Sequence, residues 1–257
     1  MCWQLSNGVT IPEIGLGTWN LQGEACIQTV KEAVAMGYRL IDTASFYRNE
    51  EEIGQAIQGM DRSSLFLASK CWKDEMGYEK TLAAFEASCQ RLGTEYLDLY
   101  MIHRPSEDPQ VNVESWQALI DLYKQSRVRA IGVSNFTPED LMPLLDMEII
   151  PMTNEILFHP GNKQRQVRAF CREHHIQIIA YQPLGRGAVL ENHLIKSLAE
   201  KYGVSGAQIC LAWEQKEGAV PIPKSSHLER LKENLETDIP LTEEEIVQID
   251  SLPPMGV

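Results

Sequence analysis

Leu-Asp-Leu-Tyr-Met-Ile-His (97–103) is an apolar, strand-like run that ends in one titratable side chain, His103. Two earlier runs end the same way. Leu-Ile-Asp (40–42) stops at Asp42, with Tyr47 five residues on, and Leu-Phe-Leu-Ala-Ser-Lys (65–70) stops at Lys70. Barrels of alternating strands and helices keep their chemistry at the carboxyl ends of the strands, so these four groups are expected around one pocket.

Working outward, the same kind of run recurs at 14–19, 130–134, 152–156, 177–181 and 219–223, which brings the expected strands to eight. The intervals carry amphipathic helical patterns. Residues 24–36 stop before Gly37 and residues 81–92 before Gly93, each glycine standing where a helix C-cap is expected. Thr137-Pro138-Glu139-Asp140 marks a helix start, and Ser226–Glu229 and Thr242–Glu245 both fit a capping box. Eight strands alternating with helices imply an α/β fold, a (β/α)₈ TIM barrel with a parallel sheet. Ahead of the first unit, Trp-Gln-Leu (3–5), Asn-Gly (7–8) and Val-Thr-Ile-Pro (9–12) read as a β-hairpin that closes the bottom of the barrel. No linker, repeat or low-complexity tract interrupts residues 1–257, so a single domain is expected.

Net charge is −13, from 23 basic and 36 acidic residues, which opposes binding to nucleic acid or an anionic membrane. No apolar stretch reaches the roughly 18 residues that span a bilayer. The N-terminus lacks the basic start and apolar core of a secretory signal, so the expected location is cytoplasmic. The six cysteines are scattered without a CxxC pair and read as reduced thiols. Cys171, Glu173, His174 and His175 lie close on one expected helix but match no metal-ligand spacing, so no metal is expected.

Asp42, Tyr47, Lys70 and His103 suit a carbonyl reduction. Tyr is a sufficient acid once its pKa falls from about 10 toward neutrality, and a neighbouring ammonium favours the phenolate. A carboxylate holds that ammonium in place, and His103 is able to donate a hydrogen bond to a carbonyl oxygen. Each residue alone reads equally well as part of a buried ion pair or a packed core. It is their shared position on successive strands that favours chemistry. Neither GxGxxG after a strand nor GxxxxGK[ST] is present. Instead Pro-Lys-Ser-Ser (223–226) leads from the last strand into a helix whose N-terminus, with Lys224 and Arg230, offers an anion site.

With these motifs assembled, the chain resembles the aldo-keto reductase superfamily over about residues 3–252. The matching stretches are Gly-Leu-Gly-Thr-Trp (15–19), Ile-Asp-Thr-Ala with Tyr and Asn-Glu (41–50), Ser-Lys (69–70), Ile-His-x-Pro (102–105) and Ile-Gly-Val-Ser-Asn-Phe (131–136). Ala-Tyr-x-Pro-Leu-Gly (180–185) and the 222–234 segment complete them. The resemblance implies Tyr47 as proton donor, Asp42 and Lys70 as its tuning pair, and His103 as the group orienting the carbonyl. It implies NADPH/NADP+ as cofactor. Lys224, Ser225, Ser226, His227 and Arg230 would surround its 2′-phosphate, and Glu233 and Asn234 would meet the adenine. Tyr181 would stack on the nicotinamide, and Ser134 and Asn135 would hold the carboxamide. Glu155 stands where the family usually has Gln. Gly17, Thr18, Trp19, Gln182 and Leu184 complete the implied cofactor residues. Trp19, Phe46, Trp72 and His103 would line the substrate pocket together with Arg104, which replaces the family's usual Trp and would favour anionic substrates. A short C-terminal end and a short loop after His103 resemble the compact microbial branch that includes diketogluconate reductases and broad aldehyde reductases, and suggest an open pocket. The implied partner is a small-molecule carbonyl compound, and the implied state a monomer. The alternative is a non-catalytic cofactor-sensing or structural relative.

Overall fold

The computed structural model describes residues 2–255; Met1, Gly256 and Val257, part of the chain ends read above, lie outside them. The chain opens with β1 (Cys2–Gln4) and β2 (Thr10–Pro12), an antiparallel pair. Then β3 (Gly15–Gly17) leads through α1 (Gly23–Met36) to β4 (Leu40–Asp42), and α2 (Glu50–Ile57) to β5 (Phe66–Cys71). Next come α3 (Tyr78–Leu92), β6 (Leu97–Ile102), α4 (Pro109–Lys124), β7 (Val128–Ser134), α5 (Pro138–Leu145) and β8 (Thr153–Leu157). The remainder is α6 (Arg165–Glu173), β9 (Gln177–Tyr181), α7 (His193–Tyr202), α8 (Gly206–Lys216), β10 (Ala219–Pro221), α9 (Leu228–Leu235) and α10 (Glu243–Asp250).

Strands β3 to β10 pair in sequence order, every pair parallel, to give the expected (β/α)₈ barrel. The strands are legible in sequence because parallel strands covered by helices are buried on both faces and read as continuous apolar runs. All six residues of β5 and all six of β6 are buried. The circle closes where Gly17 N–H donates to Pro223 O at 3.1 Å. A Cβ on Gly17 would lie 2.6 Å from the Ile222 carbonyl oxygen, so a glycine is what lets the first and last strands meet. The hairpin sits at the amino end of the barrel as expected. Asn7 Nδ2 donates to Arg129 O at 2.9 Å, at the start of β7, and Leu5 and Ile11 are buried.

The helix signals hold in most places. Gly37 and Gly93 adopt left-handed backbone (φ 118° and 65°) behind α1 and α3. Thr137 and Thr242 cap α5 and α10 in reciprocal capping boxes. The Ser226–Glu229 capping box does not form. His227 is the N-cap of α9 and contributes no side-chain cap, while Ser225 Oγ accepts from His227 N–H at 3.0 Å. A local turn around Ser225 therefore takes the hydroxyl bond that the spacing assigned one residue later. Helix α6 ends at Glu173, which leaves His174 and His175 beyond it, with His175 left-handed at φ 56°. Among the described residues no helix is long and apolar enough to cross a membrane, and the six cysteines are free.

Candidate active site

Asp42 is the last residue of β4, and Lys70 lies near the end of β5. Lys70 is fully buried, a position an ammonium tolerates only when closely paired. Its Nζ lies 2.6 and 2.7 Å from the two Asp42 carboxylate oxygens and donates to Thr43 O at 3.1 Å. Glu155 Oε2, reaching from β8 across the barrel, is 3.2 Å away. Two buried carboxylates thus share one cation. Burial, then the charge of Asp42, pushes Glu155 up to about 8, with Lys70 opposing.

A single 3₁₀ turn, Ser45–Tyr47, carries Tyr47 to the same place. The Tyr47 ring centre is 5.3 Å from Lys70 Nζ and 5.5 Å from the His103 ring, met nearly edge-on. The spacing suggested a phenol drawn below its ordinary value. The balance runs the other way here. Burial raises Tyr47 above 10, Lys70 pulls it down, and the charges of Asp42 and Glu155 push it up again. Tyr47 is therefore protonated, and the relief that Lys70 gives depends on how much of its charge the carboxylates offset.

His103 follows the end of β6, buried, with Nδ1 lacking a hydrogen-bond partner. Burial first, then the charges of Lys70 and Arg104, lowers its pKa to about 2. The imidazole is neutral, a hydrogen-bond donor of the kind that orients a carbonyl.

Three aromatic side chains stand over this cluster. Trp19 and Phe46 stack with ring centres 5.6 Å apart, Phe46 and Trp72 at 3.9 Å, and Trp72 meets His103 edge-on at 4.8 Å. Trp19 is 43% and Phe46 42% exposed, an unusual state for large rings and one that fits a pocket mouth. Arg104 is exposed beside them, with no ion pair or hydrogen bond among the described residues; burial raises the Tyr181 pKa and the charge of Arg104 opposes that rise.

On the opposite wall Asn135, at φ 63°, ties several elements together. Its Nδ2 donates to His103 O (3.0 Å) and Ser134 Oγ (2.9 Å), and its Oδ1 accepts from Tyr181 OH at 2.7 Å. Ser134 Oγ in turn donates to Glu155 O at 2.9 Å. As they stand, these donors serve the protein, fixing His103 and the Tyr181 ring against one another. The loop beyond β9 turns sharply, with Gln182 left-handed at φ 50° and Leu184 half-buried.

At the far end Lys224, Ser226, His227, Arg230 and Glu233 are exposed on the approach to α9 and along it, whereas Ser225 is buried. Asn234 is also buried, with its side chain on the Tyr38 hydroxyl. Gly17 and Thr18 lie between the two ends. Thr18 Oγ1 donates to Asp42 O at 2.8 Å, so both residues serve the strand junction.

Comparison with known proteins agrees with this geometry. The model of the aldo/keto reductase family matches residues 13–253. The chain belongs to the aldo/keto reductase family. It is 45% identical over 259 residues to the 9,11-endoperoxide prostaglandin H2 reductase of Trypanosoma cruzi, covering 98% of this chain and 91% of that one. It is 44% identical over 254 residues to the glyoxal reductase of Bacillus subtilis, covering 97% and 91%. The crystal structure of a Bombyx mori aldo-keto reductase in complex with NADP superposes with a TM-score of 0.90 at 34% identity, covering 97% and 92%.

The present aldo/keto reductase is thus an oxidoreductase by family. Its residues suit an anionic dinucleotide. Lys224 and Arg230 form no ion pair among the described residues, although the chain is acidic, and the first N–H groups of α9 have no side-chain cap. Sequence reasoning missed the supports behind Tyr47. Asn49 donates to Thr18 O (2.9 Å) and Leu21 O (3.0 Å) and accepts from Thr43 Oγ1 (2.7 Å), all buried. Glu50 accepts from Ser69 Oγ at 2.5 Å and from Arg91 Nε at 2.8 Å. The signal lies in the sequence as Asn-Glu at 49–50, legible there only through the family resemblance.

Proposed function

We propose that this chain is an NADPH-dependent reductase of aldehydes and ketones. The observation that carries the reading is the buried Lys70, held by both Asp42 oxygens, with the Tyr47 ring centre 5.3 Å from its Nζ and 5.5 Å from the His103 ring. The bound cofactor would supply a hydride to the carbonyl carbon. His103 donates a hydrogen bond that orients the carbonyl oxygen, and Tyr47 gives that oxygen its proton. Phenol-to-alkoxide transfer is helped by Lys70, because the phenolate left behind is stabilised by the nearby positive charge. Trp19, Phe46 and Trp72 give the substrate apolar faces and keep water from the reacting carbon.

At the other end Lys224, Ser225, Ser226, His227 and Arg230 would hold the adenosine 2′-phosphate, which favours NADPH over NADH. Glu233 and Asn234 would meet the adenine. Tyr181, Ser134, Asn135 and Glu155 would border the nicotinamide, with Gly17, Thr18, Gln182 and Leu184 along the way. The relative named for glyoxal reduction supports a reactive carbonyl substrate, and we place the chain with the compact microbial branch. We read the chain as one domain over 1–257, acting as a cytoplasmic monomer without nucleic-acid or membrane partners.

The test is NADPH oxidation with 4-nitrobenzaldehyde and phenylglyoxal, run beside NADH and beside Tyr47→Phe. Turnover with NADPH that needs the Tyr47 hydroxyl supports the reading. Tight NADPH binding without turnover would instead favour a cofactor-sensing relative.

Arg104 sets a second expectation. Its unpaired guanidinium at the mouth should favour substrates carrying a carboxylate, so Arg104→Ala should lower kcat/KM for 4-carboxybenzaldehyde about tenfold. The same change should leave 4-nitrobenzaldehyde within about twofold. Equal loss on both aldehydes would assign Arg104 to packing.

A further inference from the structure

We propose that Glu155 is a positioning residue for proton transfer: by sharing Lys70 with Asp42, it sets how tightly Tyr47 holds its proton. The inference rests on Tyr47 being the acid. It concerns a carboxylate placed where the family's usual residue carries no charge.

The geometry ties the Glu155 carboxylate to the ion cluster. It is buried on β8, opposite Ser134 of β7 and Ile179 of β9 in register, and its side chain points into the barrel. Its Oε2 lies 3.2 Å from Lys70 Nζ and has no hydrogen-bond partner beyond that ionic contact. The charged or titratable groups facing it are Asp42 from β4, Lys70 from β5, Tyr47 from the turn after β4, and Tyr181 from β9. Among the described residues the end of β7 and the residue after it turn the uncharged Ser134 and Asn135 toward it, and His103 after β6 is neutral.

The consequence is electrostatic. With Glu155 protonated, Asp42 and Lys70 balance each other, and a phenolate forming at Tyr47 meets no net negative charge. When Glu155 ionises, the trio carries one excess negative charge in a site shielded from water, and the phenolate is penalised. Proton donation by Tyr47 therefore weakens as Glu155 loses its proton. Glu155 titrates from about 8, because burial and Asp42 both favour its neutral form. That is within reach of a pH profile. A glutamine keeps the shape and the neutral state at every pH.

Carbonyl reduction should be followed from pH 6 to 10 for the wild type, Glu155→Gln and Glu155→Asp, with NADPH affinity measured by fluorescence at each pH. Wild-type kcat should fall about tenfold across a limb centred near pH 8. Glu155→Gln should remove that limb while KM for the aldehyde stays put, and Glu155→Asp should keep a limb. A limb unchanged in Glu155→Gln, or an effect confined to NADPH affinity, would overturn the proposal. A carbon-13 carboxyl NMR titration of the protein without cofactor supplies a readout independent of turnover. The resonance absent from Glu155→Gln should titrate with the wild-type limb, and a midpoint at an ordinary carboxylate value would overturn the proposal. Persistent turnover in Tyr47→Phe would strike at the assignment of the acid instead, which separates the two failures.

Discussion

Tyr47→Phe and Lys70→Met should both lose about 10²- to 10⁴-fold in kcat, the range for removing a positioned acid or the charge that activates it. Only the second should also lose stability. Phe in place of Tyr47 removes a hydroxyl at a half-buried turn and keeps the ring against Trp19 and His103. Met in place of Lys70 fills the same volume but leaves Asp42 and Glu155 buried without their cation. Breaking a buried pair in this way costs about 3–5 kcal/mol at neutral pH. The loss has a sign with pH. Without Lys70 both carboxyls are pushed further up in the folded state, so the folded protein binds more protons than the unfolded chain and stability falls as pH rises. Urea unfolding of Lys70→Met should therefore recover toward the wild type as pH is lowered to 5. A deficit independent of pH would show that packing alone was disturbed.

Glu214→Gln should do the reverse and make the protein more stable. Glu214 lies in α8, fully buried, and neither carboxylate oxygen has a hydrogen-bond partner among the described residues. Burial raises its pKa well above the ordinary value, and no cation among the described residues offsets it. The acid is carried neutral in the folded protein and ionises in the unfolded chain above about pH 4.3. Each pH unit above that point costs about 1.4 kcal/mol until the folded group also ionises. Glutamine has no such cost. The variant and wild type should match near pH 4 and separate steadily to pH 7 in urea unfolding, the variant being the more stable. Parallel curves would mean that Glu214 is ionised and solvated within the fold.

The barrel and the meeting of Asp42, Tyr47, Lys70 and His103 were readable because both rest on local pattern. Buried parallel strands are apolar throughout, and a titratable residue that ends such a run stands out, as Asp42, Lys70 and His103 do. What escaped depends on contacts across the barrel or on competing energies. Glu155 reaches Lys70 from β8 to β5, strands that are not neighbours, so no spacing could announce the pair. The proton affinity of Tyr47 is a balance of burial against three charges, and spacing shows which charges are present but not how they weigh against burial. Asn49 and Glu50 act through carbonyls and hydroxyls on other loops, and the Ser226 cap lost to a turn one residue earlier.

The meeting of Gly17 and Pro223 has a further bearing on the molecule's behaviour. Every other junction of the barrel is a ladder, whereas this one rests on a single backbone hydrogen bond among the described residues. It is the junction of the cylinder with the fewest backbone hydrogen bonds among the described residues. Trp19 lies just beyond one lip and Lys224 just beyond the other, so a dinucleotide lying between them would act as a clasp. With the proposed cofactor bound there, occupancy and resistance to unfolding would become one property, rising with the logarithm of cofactor concentration above its dissociation constant.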